Sequence, residues 1–289
     1  MRYLLYNPLS GTGDQARSNA EAYAIAVNVP VKSVPVTEIK DLQGFFDTLE
    51  PCDDVVFFGG DGTLNQVANA LNGSAIRNDI YYYPCGTGND FARDIGTDHG
   101  REPIMINDYV KSLPTVTVNG KQYKFINGVG FGIDGYCCEV GDELKRQNKK
   151  PNYTAIAIKG LLFHYKPTVA TVTVDGVSHT YKKVWIAATM KGRYYGGGMM
   201  NAPAQDRLAD DGEVTLVLFH GKGRLKTLMA FPSIFEGKHV EHKDMVAVHT
   251  GKEISVSFDH PAALQIDGET RLNVTEYTVT TGVPAVVTV

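Results

Sequence analysis

Apolar residues fall in short blocks along the first third of the chain, and each block is followed by glycines and then by a helical pattern. Val55-Val56-Phe57-Phe58 is an unbroken apolar run bounded by Gly59-Gly60, which suits a buried strand. Directly after it, Leu64, Val67, Ala68 and Leu71 recur at i, i+3, i+4 and i+7, one face of a helix. The same order recurs twice. Tyr3-Leu4-Leu5-Tyr6 precedes a glycine-containing stretch from Asn7 to Gly13 and a helix-like segment from Asp14 to Val27. Tyr81-Tyr82-Tyr83-Pro84 precedes Gly86-Thr87-Gly88-Asn89-Asp90 and Phe91-Ala92-Arg93. Three strand, loop and helix units predict a parallel sheet covered by helices, with its loops gathered at the carboxyl ends of the strands, where ligands bind.

The pattern changes near residue 115. Beyond it β-like runs dominate: Thr115 to Val118, Val169 to Val174, Lys183 to Thr189, Glu213 to Phe219, Met245 to His249, Ile254 to Phe258 and Tyr277 to Thr281. Asn119-Gly120, Asp175-Gly176 and Asp267-Gly268 separate several of them, dipeptides that favour tight hairpins between antiparallel strands. The expectation is two domains, an α/β domain over 1–118 and an antiparallel β-sandwich over 119–289.

Gly59-Gly60-Asp61-Gly62-Thr63 carries the chemistry. Glycines let a backbone approach a ligand without a Cβ in the way, and N–H groups at the start of a helix favour an anion such as phosphate. Asp61 beside a triphosphate would repel it unless a divalent cation intervened or the carboxylate faced the group to be phosphorylated, which suggests a kinase. Gly-Asp-Gly is also a common turn that needs no ligand. Three such loops are harder to explain as turns alone.

Taken together, the chain resembles the diacylglycerol kinase catalytic-domain superfamily in its soluble bacterial lipid kinase branch, related to sphingosine kinases. The resemblance rests on Asn7-Pro8-Leu9-Ser10-Gly11, Gly59 through Asn65, Gly86 through Arg93, Gly196-Gly197-Gly198-Met199 with Ala202-Pro203, Asp210-Asp211-Gly212, and Gln265 through Glu269. It spans nearly the whole chain, and the order and spacing of the motifs make it specific. Two departures are Gln66, where the family usually has Glu, and Lys191, where Asn often precedes the triple glycine. They bear on substrate detail and not on the nucleotide assignment.

The resemblance implies an α/β nucleotide-binding domain of the phosphofructokinase and NAD-kinase type, with the β-sandwich as second domain and the active site in the cleft between. In some relatives the C-terminal segment returns to the first domain, which stays open here. ATP is implied against Asn7, Pro8, Leu9, Ser10, Gly11, Gly59, Gly60, Asp61, Gly62, Thr63, Leu64, Asn65, Thr87 and Thr37, the last of these equally readable as a helix N-cap. A structural Mg²⁺ is implied at Leu208, Asp211 and Glu213, a single carboxylate and two carbonyls, with catalytic Mg²⁺ arriving as a separate ion. Glu269 is the first choice for the base that takes the hydroxyl proton and Asp267 the second, with Asp61 facing it across the substrate. Asp90 and Arg93 either hold their loop or reach the substrate head group.

Composition narrows the remaining classes. The 289 residues carry a net charge of −4 and 43% apolar content, enough for two cores and unsuited to nucleic acid binding through bulk charge. Cys52, Cys85, Cys137 and Cys138 lack paired metal spacing and predict reduced thiols in a cytoplasmic protein. No segment reaches the roughly 18 apolar residues of a membrane span, so a lipid would be met by transient contact with the membrane surface. Segments 160–165 and 231–235 read either as core or as lipid contacts, and Lys145, Arg146, Lys149 and Lys150 as a basic run or a solvated face. The expected activity is ATP-dependent phosphorylation of a lipid alcohol, diacylglycerol to phosphatidic acid, and a homodimer is compatible with it. An NAD kinase-like small-molecule kinase is the alternative enzyme, and a non-catalytic lipid- or nucleotide-binding module the alternative from another class.

Overall fold

The computed structural model describes residues 1–8, 13–71, 77–96, 102–111 and 113–282. It divides into two compact units, Met1–Lys111 with Gly196–Gly198, and Ser112–Tyr195 with Met199–Val289.

The first unit contains β1 (Arg2–Tyr6), α1 (Gly13–Ala26), β2 (Val31–Pro35), α2 (Leu42–Asp47), β3 (Asp54–Gly59), α3 (Asp61–Ala70), β4 (Asp79–Pro84), α4 (Asp90–Asp94), β5 (Ile104–Met105) and α5 (Asn107–Lys111). The sheet order is β2-β1-β3-β4-β5, parallel except for the short β5. Central strands covered on both faces must be apolar throughout, and Val55 to Phe58 in β3 are all fully buried. Ala16 and Ala20, one turn apart on α1, pack on Leu4, Val56 and Phe58, small side chains letting the helix lie close to the sheet. Arg2 binds Asp54 through two bonds of 2.8 and 2.6 Å, pinning β1 to β3 at their N-terminal ends. Thr37 is exposed in a single 3₁₀ turn after β2, and the N-cap of the following helix is Asp41, which accepts from Gly44 N at 2.9 Å. The N-cap reading of Thr37 is therefore wrong, because the chain needs four more residues before α2 begins.

The second unit contains β6 (Thr115–Val118), β7 (Lys121–Lys124), β8 (Gly128–Gly132), α6 (Ile133–Arg146), α7 (Tyr153–Lys159) running into a π-helical turn (Gly160–His164), β9 (Thr168–Val174), β10 (Val177–Val184), β11 (Ile186–Met190), β12 (Tyr194–Tyr195), β13 (Met199–Met200), β14 (Val214–Phe219), α8 (Arg224–Ala230), β15 (Val246–Gly251), β16 (Glu253–Ile266) and β17 (Glu269–Thr280). The main path of its antiparallel sheet is β15-β14-β11-β8-β16-β17-β6-β7. β16 makes the sandwich: Ile254–Phe258 pair with β9, whereas Leu264–Ile266 pair with β8, and the register shifts in between. One long strand thus serves both layers, a bulge bending it from one to the other. Val172, Val256, Phe131, Leu216 and Tyr277 meet in the core between the layers, while Trp185, Ile186, Val217 and Phe219 face outward under the helices.

The three Asx-Gly pairs expected to separate strands are hairpin turns with positive φ at both residues, Asn119 and Gly120, Asp175 and Gly176, Asp267 and Gly268. The domain boundary expected at 118 lies earlier, because β6 hydrogen-bonds with β17 and β7 in the second sheet. The tail 283–289, on which a return to the first domain was left open, lies outside the described residues. No helix among the described residues is long and apolar enough to cross a membrane, and the four cysteines form no disulfide.

Candidate active site

Within the first unit the glycine loops after β3 and β4 are braced against each other. A Cβ on Gly60 would lie 3.0 Å from Gly86 Cα, and one on Gly86 would lie 2.7 Å from Gly60 Cα. Cys85 N donates to Gly59 O at 2.7 Å. Both positions must be glycine for the two backbones to approach this closely. A Cβ on Gly62 would meet nothing within 4 Å.

Helix α3 starts in this cradle with Gly60 as an N-cap that supplies no side-chain acceptor. Its first N–H groups and the positive end of its dipole make an anion site of the kind that phosphates occupy. Asn7, buried at the end of β1, donates to Thr63 Oγ1 at 3.3 Å and so brings the first motif to this helix. Pro8 follows it, and Leu9, Ser10 and Gly11 lie outside the described residues. Leu64 and Asn65 are buried along α3, Gln66 is exposed, and Thr87 is exposed on the second loop.

The Asp61 carboxylate turns to α4. Its two oxygens accept from Asp90 N and Phe91 N, both at 3.0 Å, so Asp61 caps that helix. Asp90 in turn accepts from Gly197 N at 2.8 Å, and its other oxygen lies 3.7 Å from Arg93 Nη1. Gly196, Gly197 and Gly198 have φ of 62°, 84° and 112°, and a Cβ on Gly198 would run into the Arg93 guanidinium. Asp90 and Arg93 thus hold the triple glycine. Burial, and then the neighbouring Asp61 charge, push the Asp90 carboxyl up to about 6.

In the second unit Asp267 lies at the β16–β17 turn. Its Oδ2 accepts from Ile126 N at 2.6 Å, and its Oδ1 from Asn127 N at 2.8 Å and Gly128 N at 2.9 Å. Arg207 holds the same segment by its carbonyl side, donating to Ile126 O and Asn127 Oδ1 at 2.5 Å each. Asp267 is therefore a clasp on the start of β8. Glu269, two residues on, is exposed at the first position of β17.

Around the implied Mg²⁺ turn, Asp211 Oδ1 accepts from Glu213 N at 2.9 Å, the Glu213 carbonyl accepts from Gln205 Nε2 at 3.0 Å, and Leu208 is exposed. The donors are oxygen only, as a hard cation requires, so their chemistry fits Mg²⁺, although hydrogen bonds of the chain already close the turn. The ammonium of Lys191, a buried side chain, feels the charges of Asp211, Asp206 and Arg207, with burial lowering its pKa. Among the described residues no cluster of three or more His, Cys, Asp or Glu side chains forms a metal site.

Two groups have no local sequence signal. Asp134, in the first turn of α6, is buried, accepts from Tyr195 Oη at 2.8 Å, and has its carboxyl pushed up to about 7 by burial. The Arg207 clamp is likewise visible only in three dimensions.

Residues 127–289 match the family described as the YegS C-terminal NAD kinase beta sandwich-like domain, and residues 2–115 match the diacylglycerol kinase catalytic domain. The first of these matches spans more than half of the chain, which belongs to that YegS-type family, and the first part of the chain carries a diacylglycerol kinase catalytic domain. It is 27% identical over 267 residues to the diacylglycerol kinase of Mycobacterium tuberculosis, covering 87% of this chain and 83% of that protein. A solved structure from Bacillus anthracis that carries the diacylglycerol kinase name superposes with a TM-score of 0.69 at 20% identity over 97% of this chain and 92% of that one. Yeast NADH kinase complexed with NADH superposes with a TM-score of 0.53 at 11% identity over 99% and 79% of the two chains, a likeness of fold. The protein is a diacylglycerol kinase-like kinase.

Proposed function

We propose that this protein transfers the γ-phosphoryl group of ATP to the hydroxyl of a lipid alcohol, with diacylglycerol as the acceptor and phosphatidic acid as the product. The observation that carries the reading is the backbone cradle of Gly60 and Gly86 at the uncapped start of α3. In the proposed reaction the hydroxyl oxygen attacks the γ-phosphorus, the bond to the β,γ-bridging oxygen breaks, and ADP leaves. Glu269 accepts the hydroxyl proton. The three N–H bonds onto Asp267 favour a positioning role for that residue, and the two onto Asp61 favour alignment of the second loop with the first. Bound Mg²⁺ would neutralise phosphate charge, and Leu208, Asp211 and Glu213 would hold the structural ion.

The experiment is to incubate purified protein with a total lipid extract and labelled ATP and to resolve the products by mass spectrometry. Label in phosphatidic acid is expected. Label only in NADP from added NAD would select the NAD kinase-like alternative, and no transfer to any acceptor would select the non-catalytic module.

A further inference from the structure

Several large apolar side chains of the second unit remain in solvent, and they are grouped. Phe163 on the π turn is 71% exposed, and Leu225 and Met229, one turn apart on α8, are 71% and 81% exposed; Ile158 on α7 and Phe235 are exposed beside them in sequence. α8 packs against both the π turn and the 3₁₀ turn Phe231–Glu236 that carries Phe235. Arg224 joins the pieces: it donates to Leu161 O at 2.9 Å and its guanidinium lies 5.6 Å from the Trp185 ring centre. The buried side chains of the same segments, Leu161, Phe231 and Ile234, account for the core. The exposed ones have no such use, and a grouped exposed apolar surface marks a contact site.

Charge says what kind of contact. Segments 153–166 and 222–235 contain five Lys or Arg, namely Lys159, Lys166, Lys222, Arg224 and Lys226, and no Asp or Glu, in a chain whose net charge is −4. Lys222 is paired with Asp244 from outside these segments, at 2.8 Å, while Lys159, Lys166 and Lys226 are exposed. An apolar face whose rim is mostly cationic, its acidic neighbours Glu236 and Asp244 being paired with Lys238 at 2.6 Å and with Lys222, complements an anionic bilayer, where the apolar groups enter the acyl boundary and the cations meet phosphate heads.

We propose that the face formed by α7, the π turn and α8, which carries the exposed side chains of Phe163, Leu225 and Met229, docks the protein on anionic phospholipid bilayers. The proposal rests on the lipid kinase reading for its purpose, and its test does not need catalysis. The test is flotation with phosphatidylglycerol-containing and pure phosphatidylcholine vesicles in the absence of nucleotide. The full chain should bind the anionic vesicles, and the triple variant Phe163→Ser, Leu225→Ser, Met229→Ser should bind about tenfold or more weakly while keeping wild-type thermal stability. Lys159→Glu with Lys226→Glu should lose the preference for anionic vesicles and its salt sensitivity. Activity on dispersed short-chain diacylglycerol should be unaffected by either set. Unchanged flotation of the triple variant, or wild-type protein that floats with neither vesicle, overturns the proposal, as does a triple variant that only converts a dimer to monomer in sedimentation. Binding without any lipid phosphorylation would sink the kinase reading and leave the docking face standing.

Discussion

Gly60 and Gly86 meet backbone to backbone, so the two glycine loops after β3 and β4 form one structure. Gly60→Val is therefore expected to displace the Gly86 loop as well as to block the phosphate cradle. A local loss of order should accompany the loss of activity. Gly62→Ala, in open space, should keep its stability within about 0.5 kcal/mol. Thermal melts and nucleotide binding on both variants check this, and a destabilised Gly62→Ala with a normal Gly60→Val would reverse the reading.

Asp61→Ala removes the cap from Asp90 N and Phe91 N. A lost N-cap costs about 1 kcal/mol, and the variant should show lower thermal stability along with reduced phosphoryl transfer. Asp61→Asn keeps an acceptor oxygen and should recover part of the stability. If the two variants melt alike at the wild-type temperature, the capping role is wrong.

Asp267 and Glu269 separate by stability. Asp267→Asn keeps one acceptor oxygen but turns its amide NH2 toward at least one of the three N–H donors and should melt several degrees lower, so its loss of activity carries no information about a base. Glu269→Gln alters an exposed side chain and should melt normally while kcat falls about 10²-fold or more. A kcat for Glu269→Gln near that of the wild type would remove it as the base.

Asp211→Ala tests the cation site. Added Mg²⁺ should raise the melting temperature of the wild type more than that of the variant. Identical shifts would mean that the turn, with Lys191 beside it, is complete without the ion.

The Asp134 carboxyl has a folded pKa of about 7, raised above the ordinary carboxylate value by burial. A raised pKa means that the folded state holds the proton more tightly, so the stabilisation is full below about pH 4 and is lost as pH rises through about 7. Asp134→Asn should flatten the stability profile between these limits, by on the order of a few kcal/mol. Asp90, pushed up to about 6, acts in the same direction, so some slope should remain in the variant. An unchanged profile would show that Asp134 titrates as an ordinary carboxylate.

The local pattern of the chain was enough to locate β1, β3 and β4, the helix after each of them, the three Asx-Gly hairpins and the glycine loops. Each of these depends on residues close together in sequence, through side-chain period, positive φ or the absence of a Cβ. β8 escaped because its Gly-Val-Gly-Phe-Gly sequence carries little apolar pattern; its glycines are set by close approach, a Cβ on Gly132 clashing with Trp185 O and one on Gly130 lying 3.0 Å from Ala188 Cβ. The partners of the carboxylates were hidden for a related reason. Asp267 reaches Ile126 across 141 residues and Asp90 reaches Gly197 across 107. An acidic residue looks the same in the sequence whether it will cap a helix, clasp a strand or take a proton, and the choice among these roles is made by whichever N–H groups the folded chain brings to its oxygens.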